Sequence, residues 1–428
     1  MRKKGYFMPL ALAGVGALAI TACSSSSTSG TAAAAAASSG AAAASGAASA
    51  AASSGAAAAS SAPAGAPLVF GVISSDSGYG GNNPDVPATA ADWQAYVNAH
   101  GGIAGHPVQV IVEDDADNAA KALQAAQDLI QNKHAVAIGD SSLSNAAFEK
   151  YADSAKVPVI SLNEGDASVQ YFTDANFFTD EATVPAGIWA QSKVAQLSGA
   201  KKYGFLYCSE DPNCASAVPL TKADAASVGI ELAYQASFSA SSPNFTAQCL
   251  AAQQAGVEAL FVAGASQSAN QRVLDNCASQ HYQPAAIAAV GTLGSAAAKD
   301  SQIPVEWGYT GTLPWFVKNA STATFDQVMG DYLTKAVSPP LVMGTWTGLE
   351  LFAAAARNVS ATPTSQDIYD GLYSLKGETL GGLTAPLTFK KGQPNQDNCF
   401  FVYKVDNGTY STPQGTDPVC AVGAALEK

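Results

Sequence analysis

From Leu68 to Val290, short apolar runs alternate with segments long enough for helices, and this rhythm constrains the fold more than any other feature. Leu68–Ile73 reads as a strand running into Ser-Ser-Asp-Ser-Gly-Tyr-Gly. The helix after it carries Trp93, Tyr96 and Val97 on one face and stops at Gly101-Gly102. Strands Val108–Val112, Ala135–Ile138 and Val157–Leu162 alternate with helices Ala119–Gln131 and Asn145–Ala155. After Asp180 the series restarts with helix Pro185–Leu197, strand Tyr203–Tyr207, helix Ala215–Val228 and strand Glu231–Gln235. Helix Phe245–Ala255, strand Ala259–Ala263, helix Gln267–Gln280 and strand Ala286–Val290 complete it. Strands that are apolar throughout, rather than alternating, suit parallel sheets covered on both faces, so the fold class is α/β. Two successive units without a linker predict two lobes facing one another. Such sheets bind ligands beyond the carboxyl ends of their strands. That rule nominates the loops Asp76–Tyr79, Asp140–Ser142, Asn163–Glu164, Cys208–Cys214, Ala265–Ser266 and Gly291–Thr292.

The N-terminus has a different character. Arg2, Lys3 and Lys4 precede an uncharged stretch from Gly5 to Ala22 that ends in Leu-Ala-Ile-Thr-Ala-Cys. This is the layout of a secretory signal with a cysteine at the cleavage point. It resembles the lipobox of bacterial lipoproteins, which implies that residues 1–22 are removed and that Cys23 carries a lipid such as palmitate. The alternative is an ordinary signal or short membrane helix with an incidental cysteine. Residues 24–67 contain only Ala, Ser, Gly, Thr and Pro. They offer almost no apolar surface to offset the entropy of ordering. Residues 23–67 therefore read as a lipidated cysteine and a tether of roughly 35–40 Å root-mean-square span.

Without Arg2, Lys3 and Lys4 the chain holds 18 basic against 34 acidic residues, a net charge of −16. That balance argues against nucleic acid as a partner. Six cysteines remain besides Cys23, an even number that suits disulfides in an exported chain. Fifteen pairings are possible, and the expected one is local: Cys208 with Cys214, Cys249 with Cys277, Cys399 with Cys420. Zinc or free thiols are the alternative, but no CxxC exists and the four histidines are scattered.

Leu68–Ile73 with Ser77-Gly78-Tyr79-Gly80 resembles the opening of the leucine/isoleucine/valine-binding proteins of ABC transporters. Asn98-Ala99-His100-Gly101-Gly102-Ile103-Ala104-Gly105-His106-Pro107 is similar to that family's N-x-x-GGI-x-G-x-P turn, and Asp114-Asp115, Ile138-Gly139, Ser141-Ser142 and Val157-Pro158-Val159-Ile160 continue in order. The resemblance spans about 68–410. It implies a type 1 periplasmic-binding-protein fold with three crossovers between lobes. Lobe one would comprise 68–182 and 314–385, and lobe two 183–313 and 386–428, so that all six non-lipid cysteines fall in lobe two.

The same resemblance implies the site. A ligand carboxylate would be held at Asp140, Ser141 and Ser142, where a helix starts after the third strand, and Tyr79 would line the cleft. Asn163 and Glu164 replace the small-residue and threonine turn usual there. The acid that pairs an α-ammonium in many members is missing after the strand Ala286–Val290, where Gly291-Thr292-Leu293-Gly294 stands. Glu164, Glu210 or Asp211 would take its place, or the ligand has no free α-ammonium. Ala265, Ser266 and Thr292 complete the expected ligand set. Trp315, Phe316 and Trp346 are candidates for stacking surface, with Trp346 the more natural as packing in helix Gly344–Ala356.

No GxSxG, HExxH, Walker-type GK[ST] or complete GxGxxG occurs. Asp114, Asp115 and Asp117 lack the EF-hand glycine and glutamate and read as a solvated strand end. The expectation is a non-enzymatic, cofactor-free, metal-free lipoprotein on the outer face of the cell membrane. It would act as a monomer, closing on a small-molecule solute (an amino acid or related compound) and presenting it to a permease. The alternative is the same clamshell serving a signalling partner.

Overall fold

The computed structural model describes residues 64–78, 84–162, 169–209, 212–263, 267–289, 293 and 297–422; the side chains of 212–214, 216 and 297 also lie outside the description. Cys23 and the residues before it fall outside that range. The first sheet holds β1 (Leu68–Ser74), β2 (Val108–Asp114), β3 (Ala137–Ser141), β4 (Val159–Ser161) and β5 (Phe177–Phe178), all parallel, in the order β2-β1-β3-β4-β5. The second is built on β6 (Lys202–Cys208), β7 (Glu231–Phe238), β8 (Ala259–Ala263), β9 (Ala285–Ala289) and β10 (Val305–Thr310). A short antiparallel pair, β11 (Lys376–Glu378) and β12 (Leu387–Thr388), stands apart. The chain then adds β13 (Cys399–Asp406), β14 (Thr409–Ser411) and β15 (Val419–Cys420) to the second sheet. Its order is β14-β13-β10-β9-β8-β6-β7, with β15 beside β13, and β13 runs antiparallel to β10.

These are the two α/β lobes that the apolar rhythm predicts, with one difference. The second sheet is mixed, because β13 to β15 form a hairpin arrangement on an otherwise parallel sheet, a common edge for such folds.

Each sheet is covered on both faces. On one side of the first sheet, Phe70, Trp93, Phe325, Trp346 and Phe352 share a core; on the other, Ile138, Leu129, Phe148 and Phe177 do. Phe70 stacks on Phe352 at 4.2 Å between ring centroids. Trp346 packs edge-on against Phe325 at 5.6 Å within the helix Pro339–Ala355. That helix can approach β4 so closely only because residue 348 is glycine: a Cβ there would lie 2.1 Å from the Ser161 carbonyl.

Helix ends follow local chemistry. Asn118 caps Ala119–Gln127 by accepting from the Ala120 and Lys121 N–H groups. The chain continues through a π-helical turn, Asp128–Asn132, in place of the single helix expected to Gln131. The helix expected at Asn145–Ala155 is a 3₁₀ turn, Asn145–Ala147, followed by Glu149–Ala155.

The chain passes between sheets three times. The helix Val184–Leu197 leaves β5 and packs in the second lobe. After β10 the chain returns, and the helices Ala323–Leu333, Pro339–Ala355 and Ser365–Ser374 pack in the first core. Leu387 and Phe389 still belong to that core, so the last crossing falls between Phe389 and β13. Two disulfides lie in the second lobe. Cys249–Cys277 joins the helices Thr246–Gln254 and Gln267–Ser279, and Cys399–Cys420 joins β13 to β15. Cys208 is disulfide-bonded as well; the side chain of Cys214, its expected partner, lies outside the described residues.

Candidate functional site

In the first sheet the chain leaves β1 toward β2 on one side and β3 toward β4 on the other. The carboxyl ends of β1 and β3 therefore flank the topological switch point, where open α/β sheets hold ligands. Ser74 pairs in register with Asp114 and with Ser141, so the next residue along each strand (Ser75, Asp115 and Ser142) also comes together.

These three form a closed network. Asp115 is fully buried and accepts hydrogen bonds from Ser75 Oγ (2.8 Å), the Asp117 N–H (2.9 Å) and Ser142 Oγ. Ser75 Oγ in turn accepts from the Leu143 N–H at 3.0 Å, and Ser142 Oγ from the Ser144 N–H at 2.9 Å. A solvated strand end is thus the wrong description of Asp115. Desolvating a carboxylate is costly unless it is hydrogen-bonded, and three donors supply that. The triplet Glu113-Asp114-Asp115 carries no sign of this, because the two hydroxyl donors lie 40 and 27 residues away.

Asp140 is also turned inward. Its carboxylate accepts from the Ser142 N–H (2.9 Å), Asn145 Nδ2 (3.1 Å) and the Tyr171 hydroxyl (2.7 Å). Asp140 and Ser142 therefore hold the loop in shape, with their polar atoms already engaged. Ser141 differs: its backbone carbonyl accepts from the Ser75 N–H (3.1 Å), and its hydroxyl makes no bond within the described residues. Beside it Leu143 is 68% exposed, and Val169 is 50% exposed. Of the residues nominated from sequence, the structure brings together Asp140, Ser141 and Ser142. Tyr79, Asn163, Glu164, Glu210, Asp211, Ala265, Ser266 and Thr292 lie outside the described residues.

The edge is acidic. Asp114 accepts from the Asp76, Ser77 and Ala116 N–H groups and from Ser77 Oγ (2.5 Å). Burial pushes its carboxyl up, but these bonds outweigh burial and leave it below its ordinary value. Burial raises Asp76, with the Asp114 and Asp115 charges adding to it, against a 2.6 Å hydrogen bond from Ser74 Oγ. The ion pairs among the described residues are Lys133–Asp128, Lys318–Asp326, Arg357–Glu378 and Lys404–Asp406; none involves this edge. Nor, among the described residues, do three or more His, Cys, Asp or Glu side chains come together to hold a metal ion. The edge suits a group that donates hydrogen bonds or carries positive charge.

Trp315 and Phe316 do not offer the free stacking surface expected of them. Trp315 meets Tyr403 and Tyr410 edge-on at 5.9 and 5.4 Å, and Phe316 lies 4.9 Å from Tyr410. They clasp the β13–β14 hairpin to the start of the returning first-lobe segment. Beneath them Glu306, almost fully buried, accepts from the Tyr403 hydroxyl at 2.6 Å, and burial pushes its carboxyl up to about 7.

The sequence profile of a family described as "Periplasmic binding protein" matches residues 67–409. No curated protein matches the chain in sequence. Several solved structures share its fold. A branched-chain amino acid ABC transporter protein from Thermus thermophilus with bound valine has a TM-score of 0.69 and 12% identity, covering 84% of this chain and 98% of that one. A fatty acid ABC transporter substrate-binding protein from Thermomonospora curvata has a TM-score of 0.67 and 15% identity, covering 81% and 91%. A solute-binding protein of an ABC transporter from R. palustris, in complex with benzoate, has a TM-score of 0.63 and 14% identity, covering 81% and 95%.

Proposed function

The chain belongs to the periplasmic binding protein family, and from that premise we propose that it is the lipid-anchored solute receptor of an ATP-driven importer. The family match across residues 67–409 carries this reading. The leader ending at Cys23 supports the anchor, and the small-residue tether supports a body held away from the membrane. Two lobes close around a small polar organic solute, an amino acid or related compound, and the closed form is presented to a permease. Solute shifts the balance of lobe arrangements only by its preference for one of them.

The relatives above are named for an amino acid, an aromatic carboxylate and fatty acids, so the fold alone does not choose among them. The first-lobe edge favours a solute whose ammonium, amide or hydroxyl group faces Asp76 and Ser141, with an apolar portion against Leu143. Bare carboxylates such as benzoate fit it worst.

Thermal unfolding with candidate solutes tests the reading. An amino acid, amide or amine raises the melting temperature in a concentration-dependent way, while benzoate and a fatty acid do not. A panel in which only the carboxylates stabilise the protein sinks the solute class; conversion of the solute rather than its release intact sinks the receptor. In membrane fractionation, Cys23→Ala frees the chain from the membrane.

A further inference from the structure

The three crossings between lobes meet in one place. The Thr183 N–H donates to the Asp397 carbonyl at 2.9 Å, and Asn395 Nδ2 to the Glu181 carbonyl at 3.1 Å, tying the first crossing to the third. Gly311 of the second crossing sits against Glu181: a Cβ there would lie 2.6 Å from the Glu181 Cγ. Thr310 Oγ1 bonds the Thr312 carbonyl at 2.5 Å, and the Leu313 N–H bonds the Leu383 carbonyl at 2.7 Å.

Within this junction lie the carboxyl groups of Asp180 and Asp397, whose buried Oδ2 atoms have no hydrogen-bond partner among the described residues. Asp397 also accepts from the Cys399 N–H at 3.1 Å. The groups facing them are few. The helix Pro339–Ala355 offers the Thr347 hydroxyl, and its Glu350 is turned to Trp93. β10 brings Tyr309, which faces Glu181 and Gln191 of the helix Val184–Leu197. No lysine, arginine or histidine among the described residues acts on either carboxyl. Even with the Thr347 hydroxyl on Asp180 and the Cys399 and Asn398 N–H groups on Asp397, carboxylates buried without a counter-charge among the described residues are costly, and a proton is the cheapest relief.

We propose that the crossings form a pH-sensitive hinge. Asp180 and Asp397 take up protons in the lobe arrangement described here and give them up when relative movement of the lobes lets water reach the pair. Burial pushes Asp180 up to about 6; burial, with the Asp180 charge adding to it, pushes Asp397 up to about 7. A hydrated carboxyl loses its proton near 4. The present arrangement therefore binds more protons than a hydrated one, so acid favours it, and it weakens as pH rises from about 4 to about 7.

The test is a distance measurement on the full chain without solute, so its outcome is independent of which solute the cleft takes. Nitroxides are placed at Lys121→Cys on the first lobe and Lys222→Cys on the second, both exposed positions, and read by pulsed dipolar spectroscopy at pH 5 and pH 8. The labelled parent shows a shift in its distance distribution between the two pH values, and adding Asp180→Asn with Asp397→Asn abolishes it. An identical distribution at both pH values overturns the proposal, as does a shift that survives the double replacement. Thr347→Val keeps both carboxyls and removes the hydroxyl that favours Asp180 ionisation. It moves the midpoint of the distance change to higher pH, and an unmoved midpoint removes Asp180 from the switch.

Discussion

The two lobes reach stability by different routes. The first lobe buries Phe70, Trp93, Phe325, Trp346 and Phe352 in one cluster, and none of the six cysteines after Cys23 lies within its strands or helices. The second lobe's main core is rich in alanine (Ala186, Ala190, Ala195, Ala200, Ala225 and Ala259), and the described disulfides lie elsewhere in that lobe. Small side chains let helices approach a sheet closely but remove less apolar area from water per residue. Cross-links that restrict the unfolded chain offset part of that deficit. The lobe with the large core carries the polar edge at the switch point, whose shape rests on hydrogen bonds alone.

Truncating the large core gives the greatest expected effect. Phe352→Ala, which removes the stack on Phe70, costs about 3–5 kcal/mol in denaturant unfolding. A smaller loss than in an equivalent second-lobe truncation, Phe261→Ala, breaks the contrast. Replacing Cys249 and Cys277 by serine costs about 3–4 kcal/mol by loop entropy across a separation of 28 residues. Hydrogen exchange then quickens in the helices Thr246–Gln254 and Gln267–Ser279, while β1 stays protected; faster exchange in β1 shows that the lobes do not unfold separately.

Next comes the buried Glu306. Its raised carboxyl destabilises the fold once ionised, so stability falls as pH rises from about 4 through about 7. Glu306→Gln, whose amide oxygen still accepts from Tyr403, stabilises the protein by roughly 1–3 kcal/mol at pH 8 and changes little at pH 5. Equal effects at both pH values sink this assignment. Asp115→Ala leaves Ser75 and Ser142 without their acceptor and costs about 1–3 kcal/mol, and it weakens solute binding along with stability. Ser141→Ala is the mildest. It leaves the melting temperature of the free protein unchanged and lowers solute affinity about fivefold, the loss of one hydrogen bond of about 1 kcal/mol; an unchanged dissociation constant removes Ser141 from the site.

Much of the first lobe is legible in sequence because β1 to β4 are apolar runs flanked by turn residues, a pattern set locally. β5, with two residues, is too short to register. The hairpin β13–β14 and the helices after β10 are harder to read. Their apolar residues pack in cores assembled from distant segments, as Phe389 and Phe401 do with Phe70. The site divides the same way. Asp140, Ser141 and Ser142 are nominated by the end of a strand, which a single stretch reveals. Which of them faces inward depends on Asp115 and Tyr171, and no local spacing encodes that. The pairs Cys249–Cys277 and Cys399–Cys420 are readable because each closes within neighbouring elements of one lobe. The acids at the crossings are not: Asp180 and Asp397 are 217 positions apart and meet only once both lobes exist.

The aromatic clasp has an optical consequence. Trp315 sits among Phe316, Tyr403 and Tyr410, where the returning first-lobe segment meets the last hairpin. Tyrosine excitation passes to a nearby indole with an efficiency that falls with separation, so once the other four tryptophans are replaced by phenylalanine, emission from Trp315 reports separation of the junction. The protein thus carries a native fluorophore at the point where its halves join, and their movement can be followed without attaching a dye.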